Sequence, residues 1–253
     1  MNQDERIPFD RALERARLSA YPPGEFVGQE SFMCATEIIE FATQADIGPN
    51  VSVLDLCCGV GGPGLLITRR LGCRYVGVDS SAAAIEIAKS RAAGLGCRFE
   101  VSRIPPLPDG VYDVVLLVET MLAFPQKEAL LAEVSRALRL GGRFAFTLEE
   151  GHPLSGAELD IMPDADTVWL VPLAKILASF ERTGFTLRSL TDCTHSHARM
   201  AQALLDAYAA DGPSITRHIG AQALQDLLDA HRLWVDWLRR RRVRKFAVVA
   251  QKI

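Results

Sequence analysis

Two carboxylates stand where a ribose-bearing ligand would need them. Asp55 falls inside the apolar run Val51-Ser-Val-Leu-Asp-Leu56, and Asp79 ends the run Tyr75-Val-Gly-Val-Asp79. Between them lies the turn Cys57-Cys-Gly-Val-Gly-Gly-Pro-Gly64. A chain turning sharply from strand to helix needs residues without a Cβ, both for backbone geometry and for close approach of a ligand. An acid at the tip of the next strand can accept hydrogen bonds from both ribose hydroxyls. Gly59, Gly61 and Asp79 are therefore assigned to ligand binding. A carboxylate inside a strand is costly to bury without partners. Asp55 would find them by organising the glycine turn and by facing, directly or through water, an ammonium group of the ligand.

The motifs bearing these residues resemble those of class I S-adenosylmethionine-dependent methyltransferases. Val53-Leu-Asp-Leu-Cys-Cys-Gly-Val-Gly-Gly62 looks like their first motif, usually VLDLGCGTGG, and Val76-Gly-Val-Asp-Ser80 like their second. Tyr112-Asp-Val-Val-Leu-Leu-Val118 resembles the fourth strand, and Leu138-Arg-Leu-Gly-Gly-Arg-Phe-Ala-Phe146 the turn into the fifth. The resemblance implies S-adenosylmethionine as cofactor, with Asp79 and Ser80 at the ribose. Tyr21 and residues 28–32, including Gln29, would form an N-terminal cap over the cofactor. Glu119 would lie beside its methionine portion and the acceptor. There are two departures. Cys57 replaces the first loop glycine, which implies a negative φ there. The acid that often reads the adenine amine is missing near residues 101–104, so Ser102, Arg103 or a backbone carbonyl of the stretch ending at Ile104 takes its place.

In an open parallel sheet, ligands lie outside the carboxyl ends of the strands. That rule gathers Glu119 after strand four, Glu149 and His152 after strand five, and Asp192, His195 and His197 after strand six. Glu119, Glu149, His152 and His195 are the candidates to orient or deprotonate an acceptor, since carboxylates and histidines serve as general bases. A metal is not expected, because Asp192, His195 and His197 lack further ligands nearby. Trp169 is a candidate acceptor-pocket wall.

The elements that must position these groups alternate. Strands are expected near 51–57, 74–79, 97–101, 112–118, 142–148 and 185–191, with helices near 63–71, 81–93, 126–139 and 172–183. This order predicts an α/β fold: a seven-stranded, mostly parallel, doubly wound sheet covered on both faces. The resemblance adds an antiparallel last strand. A helical cap is expected over 1–50, a binding core over 51–195, a helical insert over 196–242 and the final core strand over 243–253. The cap's first helix shows apolar spacing at Ile7, Phe9, Leu13 and Leu18.

At 253 residues and 49% hydrophobic, the chain can bury a full core. Its net charge of −3 gives no global attraction to nucleic acid or anionic membranes. The basic run Arg239-Arg-Arg-Arg-Val-Arg-Lys245 is expected to be a solvated helix end and loop. No membrane partner, span or secretory leader is expected. Six scattered cysteines suit reduced side chains in the cytoplasm.

These features favour methyl transfer to a C, N or O atom of a small molecule, as in natural-product biosynthesis. Two alternatives remain. One is a protein that binds S-adenosylmethionine without transferring methyl, or that templates another reaction such as cyclisation. The other is an NAD(P)-dependent oxidoreductase, because Gly59, Gly61 and Gly64 also satisfy GxGxxG with Asp79 about 20 residues on. A homodimer is also open, because the N-terminal helix and the aromatic insert could cover a neighbouring subunit's pocket.

Overall fold

The computed structural model describes residues 3–253, with side chains from residue 12 onward. Seven strands form one sheet: β1 (Ser52–Leu56), β2 (Arg74–Asp79), β3 (Cys97–Val101), β4 (Tyr112–Leu117), β5 (Leu138–Glu150), β6 (Phe185–Asp192) and β7 (Arg244–Lys252). Their order is β3-β2-β1-β4-β5-β7-β6. The first five run parallel, while β7 enters antiparallel between β5 and β6. A dinucleotide fold of order 3-2-1-4-5-6 has no such strand, which removes the structural ground for the oxidoreductase alternative.

Helices α3 (Gly62–Leu71), α4 (Ala82–Arg91), α5 (Lys127–Ala137) and α7 (Leu173–Thr183) connect the strands, with the short α6 (Gly156–Ile161) before α7. Strand alternation splits the core in two. Leu54, Val115, Phe144, Phe146 and Val248 pack with α5 and α7. On the other face, Val53, Tyr75, Val114, Ala145 and Val249 pack with α3, α4 and α2 (Ala35–Gln44). The short helix α6, which the periodicity did not announce, is started by a capping box between Ser155 and Glu158.

The insert forms α8 (Thr194–Ala210), α9 (Gly212–Ile219) and α10 (Ala221–Arg239), beginning two residues before its expected boundary. Helix α1 (Gln3–Ala20) lies on it, with Leu13, Ala16 and Tyr21 packed among Leu204, Tyr208, Ile215 and Leu228. Cap and insert thus cover the chain's own core. Leu18 is 57% exposed rather than buried, and the side chains of Ile7 and Phe9 lie outside the described residues. Among the described residues no helix is long and apolar enough to cross a membrane.

The basic run divides. Arg241, Arg242 and Arg244 pair with Asp192, Glu158 and Glu150. Lys245, expected to be solvated, is buried.

Candidate active site

The turn after β1 is built around Asp79. Its carboxylate accepts hydrogen bonds from the backbone N–H of Gly59 at 3.0 Å and of Ser81 at 2.8 Å, fixing the loop and the start of α4 together. Two carboxylate oxygens offer about four acceptor positions, so Asp79 keeps capacity for a ribose diol. Gly59 has φ +53°, and a Cβ there would meet no atom within 4 Å, so the loop opens onto free space. Gly61, also at positive φ, is the N-cap of α3; a Cβ there would press on the Phe99 ring at 2.8 Å. Cys57 has φ +58°. The expectation of negative φ is therefore wrong: the turn imposes the left-handed conformation on cysteine as it would on glycine.

Asp55 takes a different place from the one expected. Its carboxylate accepts a hydrogen bond from the Tyr75 hydroxyl, under the start of α3, and is 5% exposed. Gly64 makes this possible, because any Cβ there would overlap the Tyr75 ring. Burial, reinforced by Asp79 and only partly offset by the Tyr75 hydrogen bond, pushes the Asp55 pKa up to about 7. It is Asp79, not Asp55, that organises the glycine turn.

The expected cap residues hold the cap itself. The buried Gln29 amide donates to the Glu25 and Met33 carbonyls at 2.9 and 3.0 Å and accepts from Val27 N–H at 2.7 Å. The Tyr21 hydroxyl donates to the Ser31 carbonyl. Ser80 and Arg103 are exposed and Ile104 is half-buried. The stretch is tied to Asp79 by Ser102 N–H donating to the Asp79 carbonyl at 2.9 Å.

At the ends of β4, β5 and β7 the structure assembles a buried ionic cluster. Glu149 and Lys245 are directly opposed across the β5–β7 pair. Ala145, Thr147 and Glu149 share one face of β5, and Ala247 and Lys245 share it on β7. Lys245 donates to Glu119 Oε2, lies 2.8 Å from Glu149 Oε1, and sits 5.0 Å over the Phe32 ring. Glu119 has φ +60° and also accepts from Phe32 N–H at 3.3 Å. His197, on the first turn of α8, is 1% exposed and places Nδ1 3.9 Å from Glu119 Oε1.

Burial alone would raise Glu119, but Lys245 and His197 outweigh it and hold the carboxyl below its usual value. Burial, with Glu119 adding to it, raises Glu149 despite Lys245. Lys245 itself is raised, its two carboxylate partners overcoming burial. Burial lowers His197 to about 4 and keeps it neutral near pH 7.

The cluster forms the inner end of a cavity of about 400 Å³ bounded by the cap, α8, α10 and the 162–168 loop. Leu122, Met162, Val168, Leu204, Leu227 and Trp234 give it apolar walls. Of the four residues expected to do chemistry, the structure brings Glu119 and Glu149 together here. His152 and His195 are exposed and stand outside the cluster; α8 begins at Thr194, which turns His197 inward and His195 outward. Trp169 is 48% exposed and does not line the cavity. Lys245 and His231 do, and sequence reasoning missed them in this role. The alternation of β7 carried a signal for Lys245, a lone cation at an inward position. Nothing local marked His231, whose half-buried ring stands 5.0 Å from Tyr208.

These residues fit a ligand with a ribose diol and a cationic amino-acid end: Asp79 keeps acceptor capacity, and the buried Glu119 Oε1 has no hydrogen-bond partner among the described residues. Residues 53–142 match a family model described as a methyltransferase domain. The chain is 37% identical over 124 residues to a phthiotriol/phenolphthiotriol dimycocerosates methyltransferase of Mycobacterium tuberculosis, covering 47% of this chain and 46% of that one. The match thus spans about half of the relative's length. Among solved structures, the mycolic acid cyclopropane synthase CmaA1, complexed with S-adenosylhomocysteine (SAH) and CTAB, superposes with a TM-score of 0.83 at 14% identity, covering 99% of this chain and 96% of that one. The [4+2]-cyclase SpnF superposes with a TM-score of 0.75 at 19% identity over 98% and 96%. Residues 53–142 thus carry a methyltransferase domain, and the sheet order is that of the class I S-adenosylmethionine-dependent methyltransferase fold.

Proposed function

We propose that the protein transfers a methyl group from S-adenosylmethionine to a C, N or O atom of a small, largely apolar molecule. The observation carrying this reading is the buried Glu119–Lys245–Glu149 cluster at the inner end of an apolar cavity, on the same rim as the Asp79-anchored glycine loop. Asp79 and the Gly59 turn would hold the ribose, with Ser80, Arg103 and Ile104 beside the adenine. Glu119 would face the amino-acid end. When bound, the cofactor supplies a methyl group already electrophilic on its sulfonium. The chain's own contribution is positioning and exclusion of water, worth up to roughly 7–11 kcal/mol in well-oriented systems. Glu119 or Glu149 takes the proton of an acceptor that arrives protonated.

A role in natural-product assembly and a cytoplasmic setting belong to the same reading; the six free cysteines support the latter. A second reading, a scaffold templating cyclisation, draws on the likeness to SpnF.

The test is incubation with methyl-labelled S-adenosylmethionine and a panel of apolar phenols, amines and alcohols. Label should appear in an acceptor. Glu119→Gln should lower turnover on the order of a hundredfold, and His195→Ala, on an exposed side chain, should leave it unchanged. Cofactor bound with no label transferred to any acceptor would favour the templating reading.

A further inference from the structure

The charges lining the cavity are unbalanced. Among the described residues, Glu30, Glu119, Glu149 and Asp164 line it against Arg17 and Lys245, a difference of two negative charges. His231, the histidine of the lining, is lowered by burial and adds no charge near pH 7. Both cations are engaged: Arg17 Nε donates to the Tyr208 hydroxyl at 3.2 Å, and Lys245 is shared by Glu119 and Glu149. Lys127, packed nearby, gives its Nζ to the Phe124 and Trp169 carbonyls.

Glu149 is the unfinished member of the cluster. It is 1% exposed and lines the cavity; its Oε1 is ion-paired with Lys245 at 2.8 Å, while its Oε2 has no hydrogen-bond partner among the described residues. A buried acceptor group left unsatisfied is a standing cost. A donor from the ligand would relieve it, whereas an anion would add a fifth negative group to the lining. Glu119 differs in that its Oε2 accepts from Lys245 and Phe32 N–H, and its open Oε1 is the oxygen assigned above to the cofactor's amino-acid end.

Building on the methyltransferase reading, we propose that the cavity selects apolar acceptors whose reacting group carries a proton, a hydroxyl or an amine, which donates it to Glu149, and that it refuses anionic head groups. As the acceptor's heteroatom bonds the methyl carbon, the carbon–sulfur bond breaks with its electron pair left on sulfur, and the acceptor's proton ends on the Glu149 carboxylate. Lys245 is the positioning residue. It keeps Glu119 ionised and leaves Glu149 as the proton acceptor, following the rule that neighbouring groups driven apart in pKa divide the acid and base roles.

Four probes sharing one apolar body test this by calorimetry with SAH present at saturation: 4-octylphenol, 4-octylbenzylamine, 4-octylanisole and 4-octylphenyl phosphate. At least one donor probe, the phenol or the amine, should bind about tenfold or more tighter than the anisole, as sites built to hydrogen-bond a substrate group reject analogues lacking it. The phosphate should bind no better than the anisole. Which donor binds tells hydroxyl from amine. Glu149→Gln, which removes one negative charge, should shift the phenol-to-phosphate preference toward phosphate without changing SAH affinity. The probe series on the unaltered protein decides alone should that variant fail to fold. Phosphate or anisole binding as tightly as both donors, or none of the four binding while SAH does, would overturn the proposal. Failure of SAH itself to bind would instead sink the methyltransferase reading beneath it.

Discussion

Burial gives two neighbouring aspartates opposite tasks. Asp79, half-buried at a strand tip, holds the loop by accepting from the Gly59 and Ser81 N–H groups. Asp55, sealed against Tyr75, keeps its proton up to about pH 7. A carboxyl whose folded-state pKa is raised contributes stability that is fully present below its unfolded value, near 4, and is lost as pH climbs to about 7. The span from 3.8 to about 7 corresponds to roughly 4 kcal/mol. Asp55→Asn cannot ionise and can still accept from Tyr75. Denaturant unfolding of the ligand-free protein should therefore show the variant gaining on the wild type between pH 4 and 7, with a constant gap above. An unchanged gap across that range would contradict the burial argument. His197, lowered by burial, acts with the opposite sign in both proteins and cancels in the comparison.

At this scale the placement of side chains on the rim was legible where it depends on local pattern. Asp79, Glu119 and Glu149 follow from the strand-end rule alone. Lys245 joins them from 96 residues beyond Glu149, through a strand pairing no local pattern displays, and Cys57 hides its positive φ behind a side chain that ordinarily avoids it.

Elements set the distances between these residues. The cap segment reaches the glycine loop because Gly62, the first residue of α3, has no side chain: a Cβ there would overlap the Val27 carbonyl and press on Gly28 at 2.9 Å. Gly62→Ala should therefore push the 25–33 segment off the loop. Its cost, by analogy with overpacked cores, is roughly 1–3 kcal/mol. Thermal unfolding should show a lowered Tm, limited proteolysis should show earlier cleavage within 22–33, and SAH affinity should fall. Gly96→Ala, where a Cβ meets nothing within 4 Å, is the control and should change none of these. Equal behaviour of the two variants would show that the cap does not rest on this contact. Strands and connecting helices were legible to within a few residues, because alternation and helical periodicity are local. The start of α8 was not, and those two residues decide which histidine faces the cluster.

For the whole molecule, the ordering of elements ties the chemistry together. Placing β7 antiparallel beside β5 brings Lys245 to the rim, and folding α8 to α10 back over that rim with α1 encloses the cavity in one chain. The parallel core and the antiparallel last strand were legible through the motifs. Enclosure by the chain's own cap and insert was not, since helical periodicity marks an apolar face without naming what covers it.

The central claim, that this rim holds S-adenosylmethionine, is tested most directly by calorimetric titration with SAH, with NADH as control and Asp79→Ala as the site variant. The account predicts a single site for SAH, no heat from NADH, and affinity about tenfold or more weaker once the Asp79 carboxylate is gone, as expected when a ligand loses hydrogen bonds to a charged group. Binding of NADH alone, or of neither ligand, would contradict it.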